Sequence, residues 1–172
     1  MLCSTVREIL AGTEKKYGPE DAIRYKISKS EIASKSYTQL KEDSDSFSNV
    51  LKDMGEQGNH IAVIGMTSYA WLVTYFGTVN SGSVIVPLDV NLPAEDVCDL
   101  IARSDSTVFV YDEVRKDVAA IAKEGCPKLK TMISMQQAEH DDHAYSFWKL
   151  LEEHRGSFDY EPDPDQLCTI MF

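Results

Sequence analysis

The sequence lacks most of the features that identify a metal site, a disulfide framework or a membrane span. Its four cysteines, at positions 3, 98, 126 and 168, form no CxxC pair, and their long, irregular gaps fit neither a zinc knuckle nor a small disulfide scaffold. The longest apolar run, residues 70–79, is too short to cross a bilayer. No basic and apolar leader precedes the first helical pattern. These absences predict a reducing compartment, and we expect a cytoplasmic protein with no transmembrane segment.

Basic residues are also scarce. Seventeen lysines and arginines stand against 28 aspartates and glutamates, which gives a net charge of −11. Nucleic acid and anionic membranes would repel such a chain, so neither is expected as a partner. The apolar fraction of 43% and the charged fraction of 26% are those of a globular protein. At 172 residues the chain can form one domain with its own core.

Residues 1–58 predict a helix, a hairpin and a long capped helix. The first helix covers 5–17 and ends at Gly18-Pro19. Two short extended stretches, 22–27 and 31–36, then predict a hairpin. The segment Ser36-Tyr37-Thr38-Gln39 has the form of a capping box, in which the serine and the glutamine each satisfy an amide of the first turn. The apolar positions of the helix that follows are Leu40, Phe47, Leu51 and Met54.

Residues 59–156 predict alternating strands and helices. Apolar runs rich in β-branched residues begin near Ile61, Val84, Val108 and Met132, and their lack of strict alternation is typical of strands covered on both faces. Helical patterns separate them, at 68–81, 93–103 and 113–124, with Pro93 expected at the first helical position. Crossovers of this length predict a parallel α/β sheet flanked by helices. Cys98, in one of these helices, is expected to be a small buried hydrophobe.

Within this region, residues 138–156 predict a polar loop and a short helix, and residues 157–172 then predict a loop and a terminal strand. The loop spans 138–145, Ser146 caps the helix, and Pro162 and Pro164 favour an extended connection. Leu167–Phe172 is expected to be a buried strand that includes Cys168. Because a core strand seldom ends a natural chain, we expect the sequence to be a single partial domain whose missing portion covers exposed sheet surface. Uncovered apolar surface also predicts self-association.

No catalytic or binding motif follows any predicted strand. Ligands of open parallel sheets bind beyond the carboxyl ends of the strands, but Gly65-Met66-Thr67-Ser68 contains one glycine and no phosphate-binding pattern. Ser68 is expected to be a helix N-cap. The next two junctions, Pro87–Asn91 and Asp112-Glu113, offer carboxylates, which would repel a phosphate. We therefore expect no catalytic, cofactor-binding or metal-binding residue in this segment.

Histidines and aromatic residues also favour structural interpretations. His140-Asp141-Asp142-His143 contains metal-ligand types, but a solvated acidic loop is the preferred interpretation. His60 is expected to begin a strand, and His154 to lie near a helix end. Trp71, Tyr75 and Phe76 share one helix face, where core packing is favoured over a stacking platform for a base.

Four stretches together resemble the amino-terminal region of adenylate-forming (AMP-binding) enzymes, the superfamily of acyl-CoA synthetases, luciferases and amino-acid adenylation domains. Ser36–Leu40 is similar to the family's [TS]-Y-x-[EQ]-L. Gly58–Ile64 is similar to G-D-x-V-A-I, with Asn59 in place of aspartate. Ser68–Trp71 resembles N-S-x-E-W, with Thr67 and Ala70 in place of its Asn and Glu. The most specific match, within Asn80–Pro93, is to G-x-x-x-V-P-L-D-x-x-L-P.

The resemblance runs from about Val6 to Phe172 and implies an ATP-dependent ligase. In the family, a carboxylic acid attacks the α-phosphate of ATP with Mg²⁺ to give an acyl-adenylate, and a thiol such as that of CoA then displaces AMP. Residues 80–93 and 146–151 look most like bacterial long-chain fatty-acyl-CoA ligases. The family's phosphate loop and catalytic lysine lie after the strand resembling Leu167–Phe172. The resemblance thus implies a fragment that is inactive alone and binds none of ATP, Mg²⁺ or CoA.

Two other functions stay open. An amino-acid or aryl-acid adenylating enzyme would transfer the acyl group to a carrier protein instead of CoA. A stand-alone binding or regulatory module, such as a phosphoacceptor receiver domain, would need an acidic pair after the first strand, and Gly65-Met66-Thr67 supplies none.

Overall fold

The computed structural model describes residues 5–26, 31–137, 139–161 and 163–172. Within these ranges six α-helices and seven β-strands alternate along the chain. In order they are α1 (Val6–Tyr17), β1 (Asp21–Lys26), β2 (Ile32–Ser36), α2 (Tyr37–Asp53), β3 (His60–Ile64), α3 (Tyr69–Asn80), β4 (Val84–Leu88), α4 (Ala94–Arg103), β5 (Val108–Tyr111), α5 (Lys116–Gly125), β6 (Thr131–Ser134), β7 (Tyr145–Ser146) and α6 (Phe147–Glu153). No described helix is both long enough and apolar enough to cross a membrane.

Capping boxes begin both of the first two helices. The predicted one opens α2: the Gln39 amide donates to the Ser36 hydroxyl at 3.2 Å, and the Gln39 side chain accepts from the Ser36 amide at 3.0 Å. The second, formed by Thr5 and Glu8 at α1, went unpredicted although its Thr-x-x-Glu spacing is the same signal. Between these helices β1 and β2 pair antiparallel, which confirms the hairpin. Its turn, residues 27–30, lies outside the described residues.

The remaining strands form one five-stranded parallel sheet in the order β4-β3-β5-β6-β7. Helices cover both faces, as the strand composition predicted. Ile61 and Val63 of β3 face the side packed by α1, α2, α3 and α6. Ala62 and Ile64 face the side packed by α4 and α5. Successive residues of a strand point to opposite faces, so each strand contributes to two cores.

Helix α2 is more buried than its apolar pattern predicted, because α1, α3 and α6 all pack against it. Several of its polar residues have no access to water and bond to neighbouring elements. Asn80 of α3 donates to Asp45 at 3.1 Å and to Ser48 at 2.8 Å, and Ser48 donates to the Gly77 carbonyl at 2.8 Å. Burial of these groups is tolerated because each has a partner.

The prediction that Leu167–Phe172 is a buried strand was wrong. The segment lies parallel to β4 but is joined to it by a single bridge, Ile85 to Thr169. Leu167, Met171 and Phe172 are 56, 78 and 57% exposed. Cys168, expected to be buried, is exposed. The reason is position: this segment occupies the outer edge of the sheet, and a hydrophobic sequence cannot by itself distinguish an edge strand from a central one.

Smaller differences concern element boundaries. Pro93 is the N-cap of α4 and not its first residue. The stretch predicted as one helix from residue 113 begins as a 3₁₀ turn, Glu113–Arg115, before α5. The polar loop gives way at Tyr145 to the short strand β7, which was not predicted. Helix α6 is capped by Ser146 as expected.

Candidate functional site

The sheet order places one crevice at its carboxyl edge. Strand β3 has β4 on one side and β5 on the other. The helices that follow the neighbouring strands β3 and β5 pack on opposite faces of the sheet: α3 joins one core and α5 the other. The connections therefore leave these two strands in opposite directions, and open parallel sheets bind ligands at such a point.

Gly65 and Asp112 form the floor of this crevice. The Asp112 amide donates to the Ile64 carbonyl at 3.0 Å, which draws the two strand ends together. Gly65 has a φ of +153°, and a Cβ atom there would lie 2.4 Å from the Cβ of Asp112. Only glycine fits such an approach. The single glycine after β3 is thus explained by packing against the neighbouring strand end.

The charges around the crevice are negative or already paired. The loops after β3, β4 and β5, together with the first residue of α5, contain two cations, Arg115 and Lys116. The guanidinium of Arg115 is buried and binds the Val90 carbonyl at 2.8 Å and both carboxylate oxygens of Asp117 at 3.1 Å. Lys116 lies 3.7 Å from Glu113. These loops therefore offer carboxylates and no uncommitted cation, an arrangement that does not suit the phosphates of a nucleotide.

Hydrogen bonds fix the acidic wall of the crevice. The Glu113 amide donates to the Gln136 side chain at 2.9 Å, and the Ser134 hydroxyl donates to the Glu113 carboxylate at 3.3 Å. Burial raises the pKa of Tyr111, and the negative charge of Glu113 raises it further. This phenol therefore stays protonated. The wall is therefore acidic and is held in place by these hydrogen bonds.

The other residues considered from sequence have structural roles. Ser68 caps α3 by accepting from the Trp71 amide at 3.2 Å, and His60 begins β3. His154 is the C-cap of α6. Trp71 and Tyr75 stack on each other with ring centroids 5.7 Å apart and pack, half-buried, against the core. Among the described residues no group of three or more His, Cys, Asp or Glu side chains could hold a metal ion.

A second cavity lies at the amino end of β4. It has a volume of about 130 Å³ and is lined by Arg7, Gly82, Gln166 and Cys168 among others. The Gln166 side chain donates to the Gly82 carbonyl at 2.7 Å and accepts from the Tyr160 hydroxyl at 3.0 Å. Gly82 has a φ of +77°, and a Cβ there would lie 2.6 Å from the Tyr160 ring. Because Gly82 has no Cβ, the Tyr160 ring can pack against it, in the segment that leads to the sheet edge.

The described cysteines should differ sharply in reactivity. Burial raises the pKa of Cys98 to about 11, with the Cys126 thiol contributing, and burial raises the pKa of Cys126 as well. Cys168 is exposed. At pH 8 we expect a disulfide reagent such as DTNB to modify Cys168 at least about tenfold faster than the other two, because only the thiolate reacts.

The measurement uses a Cys3→Ser background, since Cys3 lies outside the described residues. Adding Cys168→Ser should remove the fast phase and leave the slow one unchanged. A fast phase that persists in this variant would contradict the assignment.

Comparison with known proteins identifies the protein family of this chain. A family profile described as AMP-binding enzyme matches residues 13–172, so the chain belongs to the AMP-binding enzyme family. Its members are adenylate-forming ligases. The structure agrees: it superposes on an anthranilate CoA ligase in complex with anthranoyl-AMP with a TM-score of 0.86 and 14% identity, covering 96% of this chain and 31% of that one.

Particular relatives differ in their acceptor. The chain is 32% identical, over 96 residues, to a D-alanine--D-alanyl carrier protein ligase of Listeria innocua. The matched region is 55% of this chain and 18% of the relative. A fatty acyl CoA synthetase of Mycobacterium tuberculosis superposes with a TM-score of 0.82 at 18% identity, covering 98% of this chain and 32% of that one. The chain thus spans about a fifth of the length of the curated relative and a third of the solved structures.

Proposed function

We propose that this chain forms the amino-terminal part of an ATP-dependent ligase that activates a carboxylic acid as an acyl-adenylate and transfers it to a thiol. The observation that carries the proposal is the family match over 13–172 on a doubly wound sheet of the same fold. Within that enzyme the chain acts as a scaffold. Its rigid carboxyl edge would form one wall of the site, and the phosphate-binding groups would come from elsewhere.

The charge distribution supports the proposal that this chain is a scaffold and does not bind the phosphates. Phosphoryl chemistry needs metal ions and cations that stabilise the charge of the transition state. The loops after β3, β4 and β5 place Asp89, Asp112 and Glu113 at the carboxyl edge, and their two cations are bound to acidic partners. These residues offer no uncommitted cation to the phosphates of ATP, so no catalytic step is assigned to them.

The first test is an assay of the 172-residue chain itself. We expect no pyrophosphate release above background with ATP, Mg²⁺ and a panel of fatty, aryl and amino acids. A complete ligase of the family, such as the fatty acyl CoA synthetase of Mycobacterium tuberculosis, serves as the positive control. Steady turnover by the 172-residue chain would overturn the scaffold role.

Two candidate activities differ in the thiol that accepts the acyl group. The identity to D-alanine--D-alanyl carrier protein ligases favours an amino acid transferred to a carrier protein. The resemblance of residues 80–93 and 146–151 to fatty-acyl-CoA ligases favours a fatty acid and CoA. Of the two we favour the carrier protein, because the matched sequence identity is higher than that of any superposed structure described above.

Two measurements on the complete enzyme separate these activities. Trapping with hydroxylamine identifies which acid is adenylated, and a second assay compares transfer to CoA with transfer to a phosphopantetheinylated carrier protein. Hydroxamate from D-alanine together with loading of the carrier supports the first activity. Hydroxamate from long-chain acids together with acyl-CoA supports the second.

A further inference from the structure

The two cysteines of the core that α4 and α5 cover lie side by side. Cys98 is in the middle of α4, and Cys126 is the C-cap of α5. The Cys126 thiol donates to the Cys98 carbonyl at 3.4 Å, and the two thiols also hydrogen-bond to each other. The residues are 28 positions apart in the sequence. Their contact is therefore made by the packing of α4 against α5, and the sequence carries no sign of it.

The surroundings of this thiol pair allow the sulfurs to come closer. A disulfide needs a sulfur–sulfur distance of about 2.05 Å, which is shorter than any contact between two thiols. Cys126 follows the last residue of α5 and has an extended backbone, with a φ of −118° and a ψ of 89°. Its side chain can thus move toward Cys98 without a change in the helix. Such a step needs a rotation of side chains and no movement of the sheet.

Access from solvent gives the two cysteines different parts in an oxidation. Cys98 is partly exposed, whereas Cys126 is 2% exposed. A small oxidant such as hydrogen peroxide therefore meets Cys98 first. The Cys98 thiolate attacks one peroxide oxygen and breaks the O–O bond, which releases one water and leaves a sulfenic acid. The Cys126 sulfur then attacks the Cys98 sulfur, the S–O bond breaks, and a second water leaves. Two thiols and one peroxide become one disulfide and two waters.

The electrostatic environment makes the first step slow and leaves the second one fast. Burial raises the pKa of both thiols, and the charged groups that act on Cys98 are Glu95 and Asp117, both acidic. Little thiolate is present at neutral pH, so the attack on peroxide is slow. The second sulfur is already in contact, so the sulfenic acid should close to a disulfide before it is oxidised further. The disulfide has no charge, and burial does not oppose its formation.

We propose that Cys98 and Cys126 form an oxidation site, which hydrogen peroxide converts to a disulfide between α4 and the end of α5. The disulfide would close residues 98–126 into a loop that contains β5 and the Asp112-Glu113 wall of the crevice. A cross-link of this kind restricts the unfolded chain and so stabilises the folded one. In a reducing compartment the free thiols are the resting form. The oxidation site does not depend on the ligase activity proposed above.

The test uses a Cys3→Ser, Cys168→Ser variant of the 172-residue chain, in which only the two core cysteines remain. The folded protein is treated with hydrogen peroxide, the excess is removed with catalase, and free thiols are blocked with N-ethylmaleimide under denaturing conditions. We expect both thiols to be lost together, the protein to lose the mass of two hydrogen atoms as a monomer, and dithiothreitol to restore both thiols. A gain of oxygen atoms without a cross-link, or a disulfide between two chains, would overturn the proposal.

Two further measurements separate a native disulfide from one made in unfolded protein. In the same background, Cys98→Ser and Cys126→Ser each leave one thiol, so peroxide should add oxygen to either variant and remove no hydrogen. The oxidised parent should unfold at a higher urea concentration than its reduced form, because the link forms within the native packing. A lower midpoint for the oxidised form would show that the disulfide distorts the fold, and would count against the proposal.

Discussion

Replacing Phe47 by alanine is expected to destabilise the protein by about 3–5 kcal/mol, the usual cost of emptying a buried phenylalanine site. Phe47 is completely buried at the centre of α2, and its ring lies 5.6 Å from that of Phe147 on α6. It also contacts α3 at Gly77. Because one ring fills the space between three helices, the surrounding side chains cannot close the cavity without moving a whole helix.

Urea unfolding followed by circular dichroism measures this effect. The matched control is Phe172→Ala, which removes the same side chain from a position that is 57% exposed. We expect the control to change the free energy of unfolding by no more than about 0.5 kcal/mol. Similar effects at both positions would show that the packing of α2 is not what stabilises the fold.

The second large effect is expected at Gly77, where α2 and α3 approach most closely. An alanine Cβ there would lie 2.8 Å from both the Ser44 carbonyl oxygen and the Phe47 Cβ. The helices must separate to admit it, and overpacking of this kind costs about 1–3 kcal/mol. The ordinary gain from replacing a helical glycine by alanine is at most about 1 kcal/mol and does not offset it.

Gly12 provides the control for this substitution. It lies inside α1, and an added Cβ would meet nothing within 4 Å. Gly12→Ala should therefore stabilise the protein by up to about 1 kcal/mol, so the same change has opposite signs at two helical glycines. Thermal unfolding of both variants checks the signs.

A double variant tests the cause at Gly77. In a Phe47→Ala background, Gly77→Ala should cost less than in the unmodified chain, because some of the clash arises from the Phe47 side chain. The carbonyl of Ser44 and the Cβ at position 47, which alanine retains, remain at 2.8 Å, so the cost should not vanish. Strict additivity would assign the penalty to these two contacts and not to the ring carbon Cδ1 at 3.0 Å.

Much of the fold could be predicted from sequence because local signals agree with the tertiary structure. The β-branched runs at Ile61, Val84 and Val108 form the strands β3, β4 and β5, and the capping box at Ser36 begins α2 as expected. These signals depend on the chain alone. The family resemblance was carried by the stretch 80–93, which forms the end of α3, the whole of β4 and the loop after it.

What escaped prediction depends on neighbours that are distant in sequence. Asp45 and Ser48 look like solvent-facing residues of an amphipathic helix, but a third helix covers them and Asn80 supplies their partner. Leu167–Phe172 has the composition of a central strand, yet it lies at an edge because only β4 is beside it. His140 carries no sequence signal for its two bonds, because these require the fold to bring Ser146 and Glu153 to opposite sides of the ring.

The central position of β3 has a consequence for how the chain folds. Strand β3 pairs with the two parallel strands that follow it most closely in sequence, and β6 and β7 each add to the strand before them. A nascent sheet can therefore grow outward from its middle as synthesis proceeds, with modest loop closures at each step. Among the described strand pairings of this sheet, the bridge between Ile85 and Thr169 joins the residues that lie farthest apart in the sequence. Its closure therefore costs the most entropy of these pairings, so we expect it to form after the others.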